Sequence, residues 1–166
     1  MKFETRVTWE APLARVLAMI TSRAYVEQRL TRMDYESCAV LDCQDDGPRF
    51  AITTRVLGRP SVKLPALAQK FVKTDQPIEI EQTDSWDRGT ASGTLQIVNK
   101  SVSVLSVSAV MKLTESGGMT TNTLSWTVEC SVPLVGGKLA EMVADDIRAK
   151  AAQNELVSRQ ILADAF

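Results

Sequence analysis

The chain of 166 residues is 45% hydrophobic and 23% charged, proportions that set aside disordered and coiled-coil readings and suit one domain with a real core. Its 19 basic and 20 acidic residues give a formal charge of -1 with no long run of either sign, which excludes a dedicated nucleic-acid surface. There is no histidine, so Ser-His-Asp and Cys-His catalysis and histidine-ligated metals are excluded, and any chemistry must run on carboxylates, lysine, tyrosine or plain binding.

The first residues, Met1-Lys2-Phe3-Glu4, carry no apolar segment before the first charges, and no run of eighteen apolar residues follows anywhere. Neither a signal peptide nor a membrane span is expected, and a cytoplasmic location is the default. Cys38, Cys43 and Cys130 are odd in number and form no CxxC pair, which reads as reduced thiols and no structural zinc.

Residues 2–9 alternate, with Phe3, Thr5, Val7 and Trp9 on one face, and predict a half-buried strand. Pro12 suits a first helical position, and Leu13, Val16, Leu17 and Ile20 form an apolar stripe behind it. Thr21 or Ser22 can cap a second short helix through Tyr25, Val26 and Leu30, with Arg15, Arg23, Arg29 and Arg32 assigned to solvent faces. Tyr35 to Cys43, a turn at Asp45-Asp46-Gly47-Pro48, and Phe50 to Leu57 predict an antiparallel hairpin. Residues 58–76 mix Val62, Leu64, Leu67, Phe71 and Val72 with lysines. Pro65 could start a short helix there, serving either as a lid on a cavity or as core filling.

Ile78 to Trp86 alternates again and places Ile78, Ile80, Asp84 and Trp86 on one face, with Glu79 and Glu81 opposite. Thr90 to Val98 is a strand whose Gly93 predicts a bulge, a strong bend or the close approach of a ligand. Val102 to Leu113 reads as the longest strand, but its inward parity slips near Val104-Leu105, which predicts a bulge there. After a Ser116-Gly117-Gly118 turn, Leu124, Trp126, Val128, Cys130 and Val132 face inward. A turn at Pro133 to Gly137 then opens a helix of about seven turns. Leu139, Met142, Val143, Ile147, Lys150, Ala151, Asn154, Val157 and Ile161 recur along one of its faces. Glu141, Asp145 and Asp146 are assigned to its solvated surface.

These elements compose an α+β helix-grip arrangement: a curved seven-stranded antiparallel sheet, two short helices after the first strand, and a long C-terminal helix. That order resembles the START-like (SRPBCC) superfamily, which includes polyketide cyclase-like, Bet v 1-like and lipid-transfer domains. More narrowly, the sequence is similar to the uncharacterised bacterial DUF2505 family. The resemblance rests on Pro133, Gly136, Gly137 and Lys138 opening the last helix, on Trp86 followed by Ser92-Gly93-Thr94, and on Pro12 with the Leu13–Ile20 helix. It implies a non-polar cavity under the final helix and no assigned activity, since the superfamily holds both binders and enzymes. Two departures stand out. The histidines that cyclase or hydratase members tend to place in the cavity are missing, and Arg59 to Val72 lacks a gate-loop motif.

The candidate cavity or rim residues are Phe50, Leu64, Leu67, Phe71, Trp86, Met111, Trp126 and Met142, large or adaptable apolar side chains suited to a hydrophobic ligand or, equally, to core packing. Tyr35, Asp84 and Lys138 are the candidates to orient a polar group. An inward Asp84 would need Arg55 or Arg88 as partner, or its pKa would rise. Lys138 could meet an anionic head group at the helix start or bridge to a surface acid. The expected role is reversible binding of a small hydrophobic or amphipathic molecule, with no metal, no cofactor, no nucleic acid and no stable membrane insertion. The alternatives are a cyclase- or isomerase-type enzyme using the same cavity, and a solid-core interaction module acting through its surface, alone or as a homodimer.

Overall fold

The structure, a computed structural model, describes residues 1–59, 68–70 and 76–166. The chain runs β1 (Lys2–Trp9), α1 (Leu13–Ile20), α2 (Arg23–Arg32), β2 (Ser37–Asp45), β3 (Arg49–Gly58), a single 3-10 turn (Ala68–Lys70), β4 (Ile78–Asp87), β5 (Ser92–Asn99), β6 (Leu105–Ser116), β7 (Met119–Cys130) and α3 (Gly136–Ala165). The strands form one seven-stranded antiparallel sheet in the order β1-β7-β6-β5-β4-β3-β2, so β1 pairs with β7 while every other neighbour follows its predecessor in sequence. This is the helix-grip arrangement. The helix expected from Pro65, and the rim proposed for the Arg59 to Val72 segment, lie outside the described residues except for Arg59 and the turn at Ala68–Lys70.

Alternation explains the strands. In β3 every second residue from Phe50 to Val56 is buried, and in β6 the same holds from Val107 to Leu113. The hairpin turn Gly117-Gly118 has φ of 60° and 77°, the pair of positive values that a tight two-residue connection demands and that glycine accepts without penalty. β2 is an edge strand and mostly exposed, with one irregularity between Val40 and Asp42.

Three local expectations change, and one of two alternatives is selected. Pro12 precedes α1 in an extended conformation, its carbonyl accepting from the N–H groups of Arg15 and Val16, so it caps the helix rather than opening it. Ser22, not Thr21, caps α2 by accepting from the Tyr25 N–H. β6 starts at Leu105, and its pairing with β5 and β7 shows no slip. The parity break near Val104 is therefore the strand's entry from a turn, in which Val102 is buried and Val104 packs against a small cluster formed by Val132 and Leu139. Gly93 likewise sits in unbroken register, opposite Trp86 on one side and Met111 on the other. A Cβ there would collide with the Ser85 carbonyl oxygen and stand 3.0 Å from the Trp86 ring and 3.2 Å from Met111 Cε. The glycine makes room for an indole.

Charged side chains fasten the framework at three places. Arg88, in the turn after β4, donates to both carboxylate oxygens of Asp45 at 2.6 and 2.8 Å, to Gly47 O, and to Thr21 O and Oγ1. It therefore ties the β2–β3 turn to the junction between α1 and α2. At the other side of the sheet α3 is fastened to β1. Glu155 accepts from the Thr8 N–H at 3.3 Å, Arg159 donates to Thr8 O at 2.7 Å, and Trp9 Nε1 donates to Ser158 Oγ at 3.1 Å. These bonds occupy backbone groups on an otherwise open strand edge. Arg15 donates to the carbonyls of Leu162 and Phe166, closing the C-terminal end of α3.

Two outcomes follow. Gly93→Ala should lower stability by about 1–3 kcal/mol, because the obstacle is partly backbone and cannot rotate away; urea unfolding with an unchanged slope checks it. The Arg88 hydrogen bonds, with the Gly47 N–H, hold the Asp45 carboxyl down to about 2. A carboxyl depressed in the folded state stabilises above its unfolded pKa of about 4 and loses that contribution as pH falls. The stability difference between the parent protein and Asp45→Asn should thus be constant near neutrality and close between about pH 4 and pH 2, as read by chemical unfolding at each pH.

Candidate functional site

The burial of α3 is uneven along its length. Its buried residues are Gly136, Leu139, Ala140 and Ala144 near the start and Val157, Ser158, Ile161 and Leu162 near the end. None of the residues between, from Asp145 to Leu156, is buried, although their inward members face the sheet. A helix packed at both ends and open in the middle spans a hole. Two adjoining chambers lie there, of about 160 and about 180 Å³. Tyr35, Gln82, Ile97, Ile147 and Lys150 line both and form the boundary between them.

The first chamber is walled by Trp9, Trp86, Trp126, Leu95, Met111 and Leu124, with Tyr25, Arg29, Asp84, Asn122, Asn154 and Ser158 among its polar members. Trp126 stacks on Phe3 with centroids 6.1 Å apart, and its Nε1 donates to Thr5 Oγ1 at 2.8 Å, so its indole is fixed at both face and edge. The second chamber is more apolar, lined by Val56, Ile78, Ile80, Leu105, Val107, Leu139, Met142 and Val143.

Of the residues singled out from the sequence, Trp86, Met111, Trp126 and Asp84 line the first chamber, Met142 the second, and Tyr35 both. Phe50 lines neither: it is buried in the core with the Arg88 guanidinium 5.6 Å from its ring centre. Lys138 is 69% exposed and lies 3.9 Å from Glu141, away from both chambers. Leu64, Leu67 and Phe71 lie outside the described residues.

The partner of Asp84 is neither Arg55 nor Arg88. Arg55 pairs with Glu79 and Glu81 on the other face of the sheet, and Arg88 with Asp45. The partner is Arg29 of α2, which the helical pattern assigned to solvent; its side chain is only 17% exposed and its guanidinium stands 3.8 Å from the Asp84 carboxylate, itself 14% exposed. Gln82 Nε2 donates to Asp84 Oδ1 at 2.8 Å, and Arg29 also stands 5.8 Å from the Tyr25 ring centre. Burial pushes the Asp84 carboxyl above the usual carboxylate range, partly opposed by the Arg29 charge and the Gln82 bond. Burial pushes the Tyr25 hydroxyl up as well. Asp146, expected on the solvated surface of α3, lines the second chamber and accepts from Lys150 Nζ at 2.7 Å.

Sequence reasoning missed Arg29, Gln82, Asn122, Asp146, Lys150 and Asn154 as cavity residues. For Lys150 and Asn154 the signal was present, since both recur on the apolar face of α3. For Asn122 it was the shared parity with Leu124 and Trp126. Arg29 gives no signal, because its partner lies 55 positions away in sequence. Among the described residues no group of three or more acidic or cysteine side chains could hold a metal ion, and no helix is long and apolar enough to cross a membrane.

The comparisons with known proteins agree with this architecture. The family model described as "Protein of unknown function (DUF2505)" matches residues 4–161. No curated protein matches the sequence. Among solved structures, TTHA0849 from Thermus thermophilus is 16% identical, covers 100% of both chains and has a TM-score of 0.64. Ara h 8.0201 is 16% identical over 98% of this chain and 97% of its own, with a TM-score of 0.66. The ZhuI aromatase/cyclase from Streptomyces sp. R1128 is 10% identical over 98% and 93%, with a TM-score of 0.65. At these identities the likeness is one of fold.

The position of Asp84 makes a direct prediction. Its carboxyl should titrate above ordinary carboxylates, and Arg29→Met, which removes the cation that favours its charged form, should move it further up. Carbon-13 NMR titration of the aspartate side chains in both proteins checks the order.

Proposed function

The chain belongs to the DUF2505 family and carries a START-like helix-grip fold, and from that premise we propose that it reversibly binds a small hydrophobic or amphipathic molecule in the two chambers beneath α3. The observation that carries this reading is the unburied middle of α3 above walls of tryptophan, methionine and branched aliphatic side chains. A chain selecting only for stability would fill such a space, since interiors otherwise pack to crystal-like density. An apolar ligand entering it loses water contact at roughly 25 cal/mol per Å², and the few polar wall groups set its orientation. Each chamber lies below the ~300–1,000 Å³ of ordinary ligand pockets, which favours a small occupant or one extended through both.

A second reading has one specific observation in its favour. Asp84 faces the first chamber with its carboxyl pushed above the usual carboxylate range by burial, the direction that suits a side chain to proton transfer. In an isomerase- or cyclase-type reaction, the chamber would fold a reactive chain and Asp84 would move the proton. Asp84→Asn would then abolish turnover of a bound substrate while leaving it bound, whereas a pure carrier has no turnover to lose.

Binding is tested by native mass spectrometry of protein purified from its own host, beside the denatured extract. A stoichiometric small mass that leaves on denaturation is expected. Ile147 borders both chambers, so Ile147→Trp should fill the space at their boundary. That variant should lose the co-purified mass and take up an anilinonaphthalene-sulfonate probe at least ~10-fold more weakly, the loss of about 1.4 kcal/mol of burial. Retention of full uptake by a folded variant would place the probe elsewhere.

A further inference from the structure

The polar groups of the first chamber divide into those already engaged and those with nothing to bond. Arg29 lies beside Asp84, which also accepts from Gln82, and Lys150 donates to Asp146. The Thr5 hydroxyl accepts from Trp126, and Ser158 Oγ accepts from Trp9 while donating to Glu155 O. Asn122 is different. It is 7% exposed, and its Oδ1 is fully buried with no hydrogen-bond partner among the described residues. Its neighbours across the sheet are Val7 on β1 and Leu113 on β6, which offer no side-chain donor. Asn154, across the chamber on α3, also forms no side-chain hydrogen bond among the described residues.

A buried carboxamide oxygen without a donor is costly, because folding removes it from water and returns nothing. Asn122 lines the chamber, where an occupant carrying a hydrogen-bond donor would supply the missing bond. The charges in the walls are already balanced. Two cations, Arg29 and Lys150, each stand against an anion, Asp84 and Asp146, within 3.8 and 2.7 Å. A carboxylate or ammonium head would have to break one of these pairs or be buried uncompensated, at a cost well above that of a neutral group. A carboxamide presents one donor group and one acceptor, which matches a head that both gives and takes a hydrogen bond without charge.

We propose that the first chamber receives the uncharged hydroxyl of an apolar alcohol or phenol, held by the Asn122 carboxamide with Asn154 opposite, while the hydrocarbon part lies along the tryptophan and methionine walls. This names the ligand class for the binding function argued above and rests on it. The preference should be for hydroxyl over carboxylate at equal chain length, and over a chain bearing no donor.

The test uses the full chain and four probes of one chain length: 1-octanol, octanoate, octylammonium and 1-chlorooctane, titrated at pH 7.5 by calorimetry and by the fluorescence of the chamber tryptophans. Expected is 1-octanol binding about tenfold more tightly than 1-chlorooctane and than either ion, the value of one hydrogen bond to a buried group. Asn122→Leu should erase the advantage over 1-chlorooctane while raising the melting temperature of the empty protein, since it removes an unsatisfied buried group. Octanoate or octylammonium binding more tightly than 1-octanol overturns the inference in favour of a charged head. So does an octanol preference that survives in Asn122→Leu. Equal binding of all four probes overturns it too and leaves hydrophobic binding standing. No uptake of any probe by the parent protein removes both. The comparison of probes on the parent protein needs no variant to fold.

Discussion

Three contacts around Thr8 and Trp9 fix the C-terminal half of α3 to the first strand, and the interior follows from where they stop. Glu155, Ser158 and Arg159 grip the backbone of Thr8 and the indole of Trp9. At the far end Leu139 packs with Val132 beneath the turn that starts the helix. Between these anchors the inward side chains of α3, among them Ile147, Lys150 and Asn154, are only half-buried and border the two chambers. On the scale of engineered core cavities, a dry void of about 160 Å³ costs on the order of 4 kcal/mol, a large share of the ~5–15 kcal/mol by which domains are stable. The fold tolerates the hole because apolar packing at both ends of α3 and the hydrogen bonds to Thr8 and Trp9 hold the helix in place.

The walls of that hole show what kind of sequence signal survives folding. Apolar parity located Trp86, Met111 and Trp126 and, with the helical period, Met142, because an apolar side chain goes inward wherever the backbone sends it. Asp84 was legible for the same reason, sharing a face with Ile80 and Trp86. Charged residues resist this treatment. Arg29, in a helix whose pattern is mostly polar, reads as solvent surface until α2 is packed against α3 and β2 and its guanidinium finds Asp84. Asp146 reads likewise until α3 is placed over the second chamber. Partnership between distant charges is a property of the assembled molecule, and no local window contains both members.

The misread strand start has a similar cause. Val102, Val104 and Leu105 look like one continuous apolar run, and periodicity alone cannot say that Val104 serves a different cluster. Gly93 was correctly marked as unusual, but its reason lies on neighbouring strands, where Trp86 and Met111 need the space a side chain would take. Phe50 shows the converse: its size suited a cavity wall as well as a core, and only the position of Arg88 and the turn behind it settles the matter.

The pairing of the first strand with the last also sets the order in which the molecule can be finished. Residues 2–9 hydrogen-bond to residues 120–127, so one edge of the sheet waits for more than a hundred intervening residues. At ribosomal rates of ~5–20 residues per second, β1 spends roughly 5–25 s without its partner during synthesis. Contacts of such long range also slow refolding of the complete chain. The hairpins from β2 to β7 are each local and can form early. The C-terminal half of α3, anchored on β1, can seat only after the sheet has closed behind it, so the chambers beneath the helix are the last part of the protein to come into being.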